Sequence, residues 1–458
     1  MPPFTGWSSI AGHLKFECIQ AEYEGKIVPE SLKKRVEQLD TTTDLFDDPE
    51  AKELFNAMED LDTDPDFGYE QPDALEEIRR LRPEGPRRLE VVLSDDQLLD
   101  RFHGAWTGRF CGCALGKPVE GMCLIHRGRL RLKDYLERRG HWPLDNYISG
   151  VPRDDDKHSV SPADPATREN ISCMPPDDDI HYTLTGLHVL EKNGADFKWY
   201  NVADAWNGCL PFSAICTAES QAITNYNIRN VRGKNGAYPS PAWTARHNNP
   251  YREWIGAQIR ADGWAYCAAG NPELAAEFAW RDAHWTHTAN GIYGEMFMAA
   301  VIASAFVMDD PEELVRAGLS EIPANCRLAE GIRRALKWVR ECPDIESFME
   351  ALEGQYGEWM HPVHTVNNAM ICVAALFYGK MDTAESICTA VTGGLDTDCN
   401  GATAGSIVGA VSGHEAFSGT FKAPLNDTVK PLMLGFQEVK MEELARRTFE
   451  VYKRITQS

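Results

Sequence analysis

Two short clusters of acidic residues stand directly before apolar segments, where their carboxylates could bind a cation. Asp177, Asp178 and Asp179 follow two prolines, and Asp396 and Asp398 follow two glycines and a leucine. Acids at the beginning of a helix also have a purely structural explanation, because they cap free backbone N–H groups and favour the positive end of the helix dipole. For the first cluster taken alone, helix capping is the better explanation.

The second cluster favours metal binding, because the segment that follows it must be deeply buried. Residues 401–410 are almost all small, and no Lys or Arg lies near them in the sequence. An unpaired buried charge is very costly, and two carboxylates about 5 Å apart repel by roughly 3 kcal/mol at an effective dielectric constant of about 20. A divalent cation removes this repulsion, and oxygen ligands indicate Mg²⁺, Mn²⁺ or Ca²⁺ rather than zinc.

Helices would have to position these carboxylates. Apolar residues at helical spacing predict a long helix over 97–115, in which Gly104, Gly108, Gly112 and Gly116 recur on one face and allow another backbone to approach. Similar periodicity elsewhere, with almost no alternating pattern, predicts an all-α fold class. The further predicted helices are 29–39, 49–61, 74–81, 180–192, 271–283, 292–307, 312–319, 328–339, 345–352, 367–377, 383–391, 402–411 and 441–452.

Residues 1–94 differ from the rest of the chain and are predicted to form an acidic helical N-terminal extension, followed by one all-α domain over 95–458. Between Asp40 and Glu77 there are fifteen acidic residues and a single basic one, Lys52. Such a charge run is typical of a solvated accessory region. A lid over a substrate cleft, or a contact between subunits, is the alternative.

The composition excludes several classes of protein. The 458 residues carry a formal net charge of −23, which argues against binding to nucleic acid or to an anionic membrane. The longest apolar run, 296–308, is shorter than the roughly 20 residues of a membrane-spanning helix, and the first ten residues lack the pattern of a signal peptide. Thirteen cysteines without a CxxC pair favour a reduced, cytoplasmic protein.

Four segments resemble the ADP-ribosylglycohydrolase family, which includes the dinitrogenase reductase-activating glycohydrolase and crystallin J1. They are the glycine-rich segment 108–120, which ends in Lys-Pro-Val-Glu, the aspartates 177–179, the segment 286–294, which begins Thr-His, and the segment 393–402 around the second cluster. The resemblance implies a compact orthogonal helical bundle with a metal site between its helices. It also implies an enzyme that removes ADP-ribose from protein or small-molecule acceptors.

By this resemblance the cofactor would be Mg²⁺, with two ions bound and Mn²⁺ as an alternative. The expected metal ligands are Asp177, Asp178, Asp179, Asp396, Asp398 and Cys399. Asp178 or Asp398 would bridge the two ions. Cys399 stands where the family has a threonine, and because a thiol is a poor ligand for Mg²⁺, one ion would be held more weakly or be more hydrated.

The resemblance also implies catalytic and substrate-binding roles. Glu120 would gate the site and help to activate water, with Asp178 or Asp179 assisting through bound water; a surface acid after a turn is the alternative. His287 would lie near ribose or phosphate, and a hydrogen-bonded core histidine is the alternative. The expected substrate-binding residues are Tyr251, Arg252, Trp254, Gly256, His287, Asn290, Gly291, Gly393 and Gly394.

The segment 249–260 corresponds to the family's glycine-rich loop around the diphosphate and adenosine, but Gly256 is the glycine that it retains. Arg252 could face a phosphate, because Arg forms bidentate pairs with phosphate, and Tyr251 or Trp254 could stack on a base. The missing glycines also permit a smaller substrate than ADP-ribose.

The predicted function is therefore metal-dependent hydrolysis of a glycosidic bond at ribose C1, which releases ADP-ribose. Carboxylates around the ribose would stabilise the positive charge of the transition state. Two alternatives remain. One is hydrolysis of another N- or O-linked riboside with a nucleoside-like substrate. The other is a non-catalytic ADP-ribose-binding or crystallin-like structural protein, against which five acids at two helix starts argue.

Overall fold

The structure is a computed structural model that describes residues 9–39, 48–151, 158–229, 238–357 and 359–457. Helices dominate these residues, which confirms the predicted all-α class. Within the described ranges the strands are β1 (Thr428–Val429) and β2 (Val439–Lys440), which pair antiparallel near the carboxyl end.

The helices of the described residues fall into an amino-terminal group and a main body. The amino-terminal group is α1 (Ile10–Tyr23), α2 (Glu30–Glu37), α3 (Pro49–Glu59) and α4 (Leu75–Leu81). The main body consists of α5 (Asp95–Gly116), α6 (Glu120–Cys123), α7 (Gly128–Glu137), α8 (Asp178–Asn193), α9 (Trp199–Cys209), α10 (Thr217–Arg229), α11 (Pro241–Arg246), α12 (Ala261–Cys267), α13 (Pro272–Ala283), α14 (Ala289–Ala305), α15 (Pro311–Leu319), α16 (Arg327–Glu341), α17 (Ile345–Tyr356), α18 (Thr365–Tyr378), α19 (Thr383–Thr392), α20 (Thr397–Ser412), α21 (Gly419–Lys422) and α22 (Met441–Thr456). Every helix predicted from periodicity is present, whereas α1, α6, α7, α9, α10, α11, α12 and α21 were not predicted.

The main body is organised around α5 and α20, which pack backbone to backbone in antiparallel directions. A Cβ atom built on Gly108 would lie 1.9 Å from the carbonyl oxygen of Gly405, and one on Gly112 would lie 1.9 Å from that of Gly401. No side chain fits at either position. The close approach predicted from the glycine row is therefore confirmed, and it brings the end of α5 against the start of α20.

Buried hydrogen bonds attach a third helix, α8, to this pair. The Thr397 hydroxyl donates to the carbonyl oxygen of Gly116 (2.8 Å) and fixes the first turn of α20. Arg109, fully buried within α5, donates to both the backbone oxygen and the carboxylate of Asp179 (3.0 Å each) in the first turn of α8. The starts of α8 and α20 thus meet beside the end of α5.

The amino-terminal region has a buried face that its charge pattern did not predict, although the described residues of the acidic run are mostly exposed or half-buried. Helices α1, α2 and α3 share a small core of their own, which includes Leu14, Leu54 and Met58. Helix α1 also packs on the main body, where the Tyr23 hydroxyl donates to the carbonyl oxygen of Trp359 (2.6 Å). The inner face of α1 therefore includes buried polar side chains, among them Glu17 and Gln20.

Most of the longest apolar run, residues 296–305, lies in α14, and every residue of this helix is buried. Among the described helices, none is long and apolar enough to cross a lipid bilayer. All thirteen cysteines are free thiols.

Candidate metal centre and cavity

The two acidic clusters come together at one cavity of about 660 Å³. Asp178 begins α8, and Asp396 stands immediately before α20. Six acidic side chains line the cavity, and no Lys or Arg stands among the described residues of its wall. These six are Glu120, Asp178, Asp179, Glu219, Asp396 and Asp398.

Potential ligand atoms are close enough to share cations. Oxygen atoms of Asp177, Asp178 and Asp179 lie within 4.8 Å of one another. The same is true of ligand atoms from Asp396, Asp398 and Cys399, and of a third set formed by Cys113, Asp177 and Asp398. Because Asp177 and Asp398 belong to two sets each, the first and second clusters form one continuous group.

Helix capping explains the first cluster in part but does not explain the second. The Asp177 carboxylate accepts a hydrogen bond from the backbone N–H of Asp179 (3.0 Å), as a capping residue does. Asp396 occupies the corresponding position of α20 and makes no side-chain capping bond. Oδ1 of Asp396 and Oδ1 of Asp398 are buried and have no hydrogen-bond partner among the described residues. Buried carboxylate oxygens of this kind require a partner, and a cation is a suitable one.

Burial and mutual repulsion disfavour the charged forms of these acids. Burial, together with repulsion by Asp177 and Asp398, raises the pKa of Asp178 to about 8. Burial raises the pKa of Asp398 to about 6, and repulsion by Asp398 raises the pKa of Glu120 well above its usual value. Without a cation, Asp178, Asp398 and Glu120 therefore hold their protons more strongly than free carboxyl groups do, and divalent cations would favour their ionised forms.

The basic side chains beside the centre are already engaged. Lys117 lies 2.5 Å from the Asp177 carboxylate. Arg109 is shared between Asp179 and the buried Asp262 (2.9 Å). These pairs compensate two acids of the centre, and they leave Asp396 and Asp398 without a basic partner among the described residues.

The donor set fits divalent cations, with one departure from an all-oxygen site. Carboxylate oxygens suit Mg²⁺ and Mn²⁺. Two buried thiols, Cys113 and Cys399, lie among them, and Cys399 donates a hydrogen bond to the Asp179 carboxylate (3.1 Å). Cys113, which follows Gly112 on α5, was not among the predicted ligands.

Glu120 lies where the sequence pattern placed it, at the cavity wall. It follows the short 3₁₀ turn Lys117–Val119 and begins α6. Its carboxyl group is partly exposed and is directed at the same cavity as Asp178 and Asp398. A role in catalysis stays a prediction.

Of the nine predicted substrate-binding residues, Gly256 lines the cavity and the others do not. Arg252 is buried and bonded to the carboxylates of Glu17 on α1 and of Glu24, which directly follows α1. Tyr251 and Trp254 are buried against rings of the same helix, at centroid distances of 5.4 Å from His13 and from Phe16, respectively. These three side chains are directed at α1 because it supplies carboxylates and aromatic rings of its own.

Asn290, Gly291, Gly393 and Gly394 contact other parts of the chain rather than the cavity. Asn290 donates to Gln71 (2.8 Å) and to Glu253 (2.8 Å), which ties the amino-terminal region to α14. A Cβ atom on Gly291 would lie 2.5 Å from the Arg252 carbonyl oxygen, so this glycine allows a close backbone contact. Gly393 packs on Ile371 and Gly394 on Arg129, each at the turn before α20.

His287 has the environment of a core histidine. Its Nδ1 shares a hydrogen bond with the Thr286 hydroxyl (2.8 Å), and its Nε2 lies 3.8 Å from the Glu219 carboxylate. Burial, together with the nearby Arg260, lowers its pKa well below the usual value. His287 is therefore neutral near pH 7. It does not line the cavity but lies beside Glu219, which does.

Sequence reasoning missed part of the wall. Cys216, Thr217 and Glu219 line the cavity from the start of α10, and His13 lines it from α1. Glu219 is bonded to Arg260, which also binds Asp282 (2.7 Å). The polar residues of these two helices face inward, so a search for apolar periodicity does not find them.

The chain is an all-α protein in which the starts of two helices meet at a carboxylate-lined cavity. The chain belongs to the ADP-ribosylglycohydrolase family, whose sequence profile matches residues 94–457. It is therefore a hydrolase of glycosidic bonds. The family acts on ADP-ribosylated substrates and generally depends on divalent metal ions.

Similarity to individual proteins is weaker. One chain from a solved structure described as an ADP-ribosylglycohydrolase-related protein complex is 19% identical, with a TM-score of 0.49. The match covers 79% of this chain and 99% of the other. No curated protein matches the chain.

Proposed function

We propose that this chain is a divalent-metal-dependent hydrolase that cleaves a glycosidic bond at ribose C1. The observation that carries the proposal is the pair of buried, unpartnered carboxylate oxygens of Asp396 and Asp398 at a cavity that Asp178 and Glu120 also line. Two Mg²⁺ ions, or Mn²⁺ in their place, suit the two carboxylate groups. The proposed ligands are Asp177, Asp178, Asp179, Asp396, Asp398 and Cys399.

Bound cations would supply Lewis acidity for a water molecule and for the ribose hydroxyls. The chain's own residues would do the rest. The carboxylates of Asp178 and Asp398 stabilise positive charge that develops on the ribose in the transition state. Glu120, whose carboxyl group tends to hold its proton beside Asp398, is placed to deliver a proton to the leaving group or to accept one from water.

Release of ADP-ribose from a protein or small-molecule acceptor is the first candidate reaction, because the family acts on ADP-ribosylated substrates. Hydrolysis of another N- or O-linked riboside is the second. A specific observation favours this second candidate. Arg252 is bonded to two glutamates of the same chain, and the described residues of the cavity wall include no Lys or Arg that could face a diphosphate.

Metal binding and hydrolysis can be tested together. Mg²⁺ and Mn²⁺ would be titrated calorimetrically into the wild-type protein, Asp396→Asn and Asp398→Asn, with Asp66→Asn as a control because Asp66 is exposed. ADP-ribosylated arginine, ADP-ribosylated serine and adenosine would then be followed by NMR for cleavage at C1. We expect metal uptake and cleavage in the wild type and the control, and loss of both in the two cavity variants. A wild-type protein that takes up no metal and cleaves none of the three compounds would refute the proposal.

A further inference from the structure

Two buried thiols lie among the carboxylates of the centre. Cys113 stands in the last turn of α5 and is fully buried, and Cys399 stands in the first turn of α20 and is 6% exposed. Ligand atoms of Cys113, Asp177 and Asp398 lie within 4.8 Å of one another. Those of Cys399, Asp396 and Asp398 do so as well. Each of these two groups therefore consists of two carboxylates and one sulfur atom.

The number and spacing of these atoms suit a thiophilic cation. A catalytic zinc ion takes three protein ligands and a water molecule. It lies about 2.3 Å from sulfur and about 2.0–2.2 Å from carboxylate oxygen, so the ligand atoms around one ion are at most about 4.5 Å apart. Small side-chain rotations bring either group to that spacing. Soft sulfur ligands select ions such as Zn²⁺, whereas carboxylates and water suit Mg²⁺.

The group around Cys399 has ligand atoms available for such an ion. Oδ1 of Asp396 and Oδ1 of Asp398 are buried and have no hydrogen-bond partner among the described residues, and both residues are 4% exposed. Cys399 donates its proton to the Asp179 carboxylate (3.1 Å). When a metal–sulfur bond forms, this proton leaves to solvent, and the Asp179 oxygen that accepted it becomes available.

The first cluster differs from this group because it contains oxygen ligands alone. Asp177, Asp178 and Asp179 offer carboxylate oxygens within 4.8 Å of one another, and no thiol belongs to this set. The two halves of the centre therefore present different donor atoms to a cation.

We propose that the centre is selective for two different cations: a thiophilic divalent ion of the zinc class at Asp396, Asp398 and Cys399, and Mg²⁺ or Mn²⁺ at residues 177–179. The inference rests on the proposed metal-dependent function and specifies which cation each half of the centre takes. Cys399 is the residue that sets the difference, because it replaces an oxygen donor by sulfur.

The first test follows the metal–sulfur bond itself. One equivalent of Cd²⁺, a thiophilic substitute for Zn²⁺, would be added to the full-length, metal-free protein, and the ultraviolet absorption of a cadmium–thiolate bond would be recorded. We expect this absorption in the wild type and its loss in Cys399→Ser. A wild type without the absorption, or a Cys399→Ser protein that retains it in full, would overturn the proposal.

A matched control is needed because all thirteen cysteines are free thiols. Cys342 directly follows α16 and is half-buried, and the acids near it are Glu341 and Asp344, which lie outside the centre. Cys342→Ser should keep the absorption of the wild type. Equal loss in Cys342→Ser and Cys399→Ser would assign the signal to surface thiols and overturn the proposal.

The second test compares affinities. Zn²⁺ and Mg²⁺ would be titrated calorimetrically into the wild type, Cys399→Ser and Cys399→Thr, each checked for folding by circular dichroism. Loss of the sulfur should weaken Zn²⁺ binding by at least about tenfold, whereas Mg²⁺ binding should stay the same or become tighter, because a hydroxyl oxygen replaces the thiol. Cys399→Thr carries the comparison if Cys399→Ser does not fold. Equal changes for both metals, or no change for either, would overturn the proposal.

The outcomes separate this inference from the proposed function. If the wild type takes up neither Zn²⁺ nor Mg²⁺ and cleaves no riboside, the proposed function fails and the inference fails with it. If metal is bound and ribosides are cleaved, but Cd²⁺ produces no thiolate absorption, the function stands and the selectivity for a thiophilic cation is refuted.

Discussion

Replacement of Gly112 by alanine tests whether the contact between α5 and α20 holds the site together. The added Cβ atom would lie 1.9 Å from the Gly401 carbonyl oxygen, whereas close contacts between carbon and a carbonyl oxygen are about 3.3–3.6 Å. The two helices would have to separate locally by about 1.5 Å. Overpacking of this kind costs typically about 1–3 kcal/mol, and a rigid backbone contact belongs at the upper end.

Helix propensity acts in the opposite direction and sets the net value. Alanine is favoured over glycine inside a helix by about 1 kcal/mol, so Gly112→Ala should lower the free energy of unfolding by about 2 kcal/mol. The matched control is Gly354→Ala in α17, where a Cβ atom meets nothing within 4 Å. That variant should gain up to about 1 kcal/mol.

Urea denaturation of both variants, and calorimetric titration of Mg²⁺ into both, measure the effect. Because Gly112 lies near the end of α5 that faces Asp398, Gly112→Ala should also weaken Mg²⁺ binding by about tenfold, as changes around metal ligands do. Gly354→Ala should leave it unchanged. Equal stability of Gly112→Ala and the wild type, or equal losses in both variants, would refute the reasoning.

Three further predictions concern the charges of the centre. Asp398→Asn should raise the melting temperature of the metal-free protein, because it removes one of several crowded acids. It should also abolish the rise in melting temperature that Mg²⁺ produces in the wild type. A thermal shift series with and without Mg²⁺ measures both effects, and an unchanged response to Mg²⁺ would contradict the prediction. Arg109→Met should cost about 3–5 kcal/mol in urea denaturation, because Asp179 and Asp262 lose their buried partner, whereas Arg80→Met, with a side chain 67% exposed, should have little effect. The metal-free protein should lose stability as the pH rises from about 6.5 to about 8 and should level off above that. Folding raises the pKa of Asp178 to about 8, and a raised pKa gives stability that is lost as pH rises through the folded value. Buried histidines act in the opposite direction only below about pH 6.5, and stability that is constant or rises across this range, or that Mg²⁺ does not restore, would contradict the expectation.

The parts of the site that lie on strongly patterned helices could be predicted from the sequence. The glycine row of α5 indicated a close helix contact, and the acids before α8 and α20 indicated a cation site, because each feature has a local physical meaning. Asp396 illustrates where this reasoning needs the structure. A capping residue and a metal ligand look alike in sequence, and only the absence of a capping bond at Asp396 distinguishes them.

Contacts between distant segments could not be predicted in the same way. Helix α1 was missed because its buried face carries Glu17 and Gln20, which a reading by hydrophobicity assigns to solvent. These residues are buried because Arg252 and Glu253, more than two hundred positions away, supply their partners. Arg252 was interpreted as a phosphate ligand for a related reason. The residues around it in the sequence give no sign that Glu17 and Glu24 are its partners.

The distribution of charge around the cavity limits what its ligands can be. Arg109, Arg252 and Arg260 are each shared by at least two acids of the chain, and Lys117 is paired with Asp177. Negative charge at the cavity wall is therefore left to be compensated by what enters from solvent. Divalent cations would meet that requirement at Asp396 and Asp398. The nearby arginines would still be paired with carboxylates of the chain after the cations bind. A ligand that brings further negative charge gains no Lys or Arg partner among the described residues of this wall.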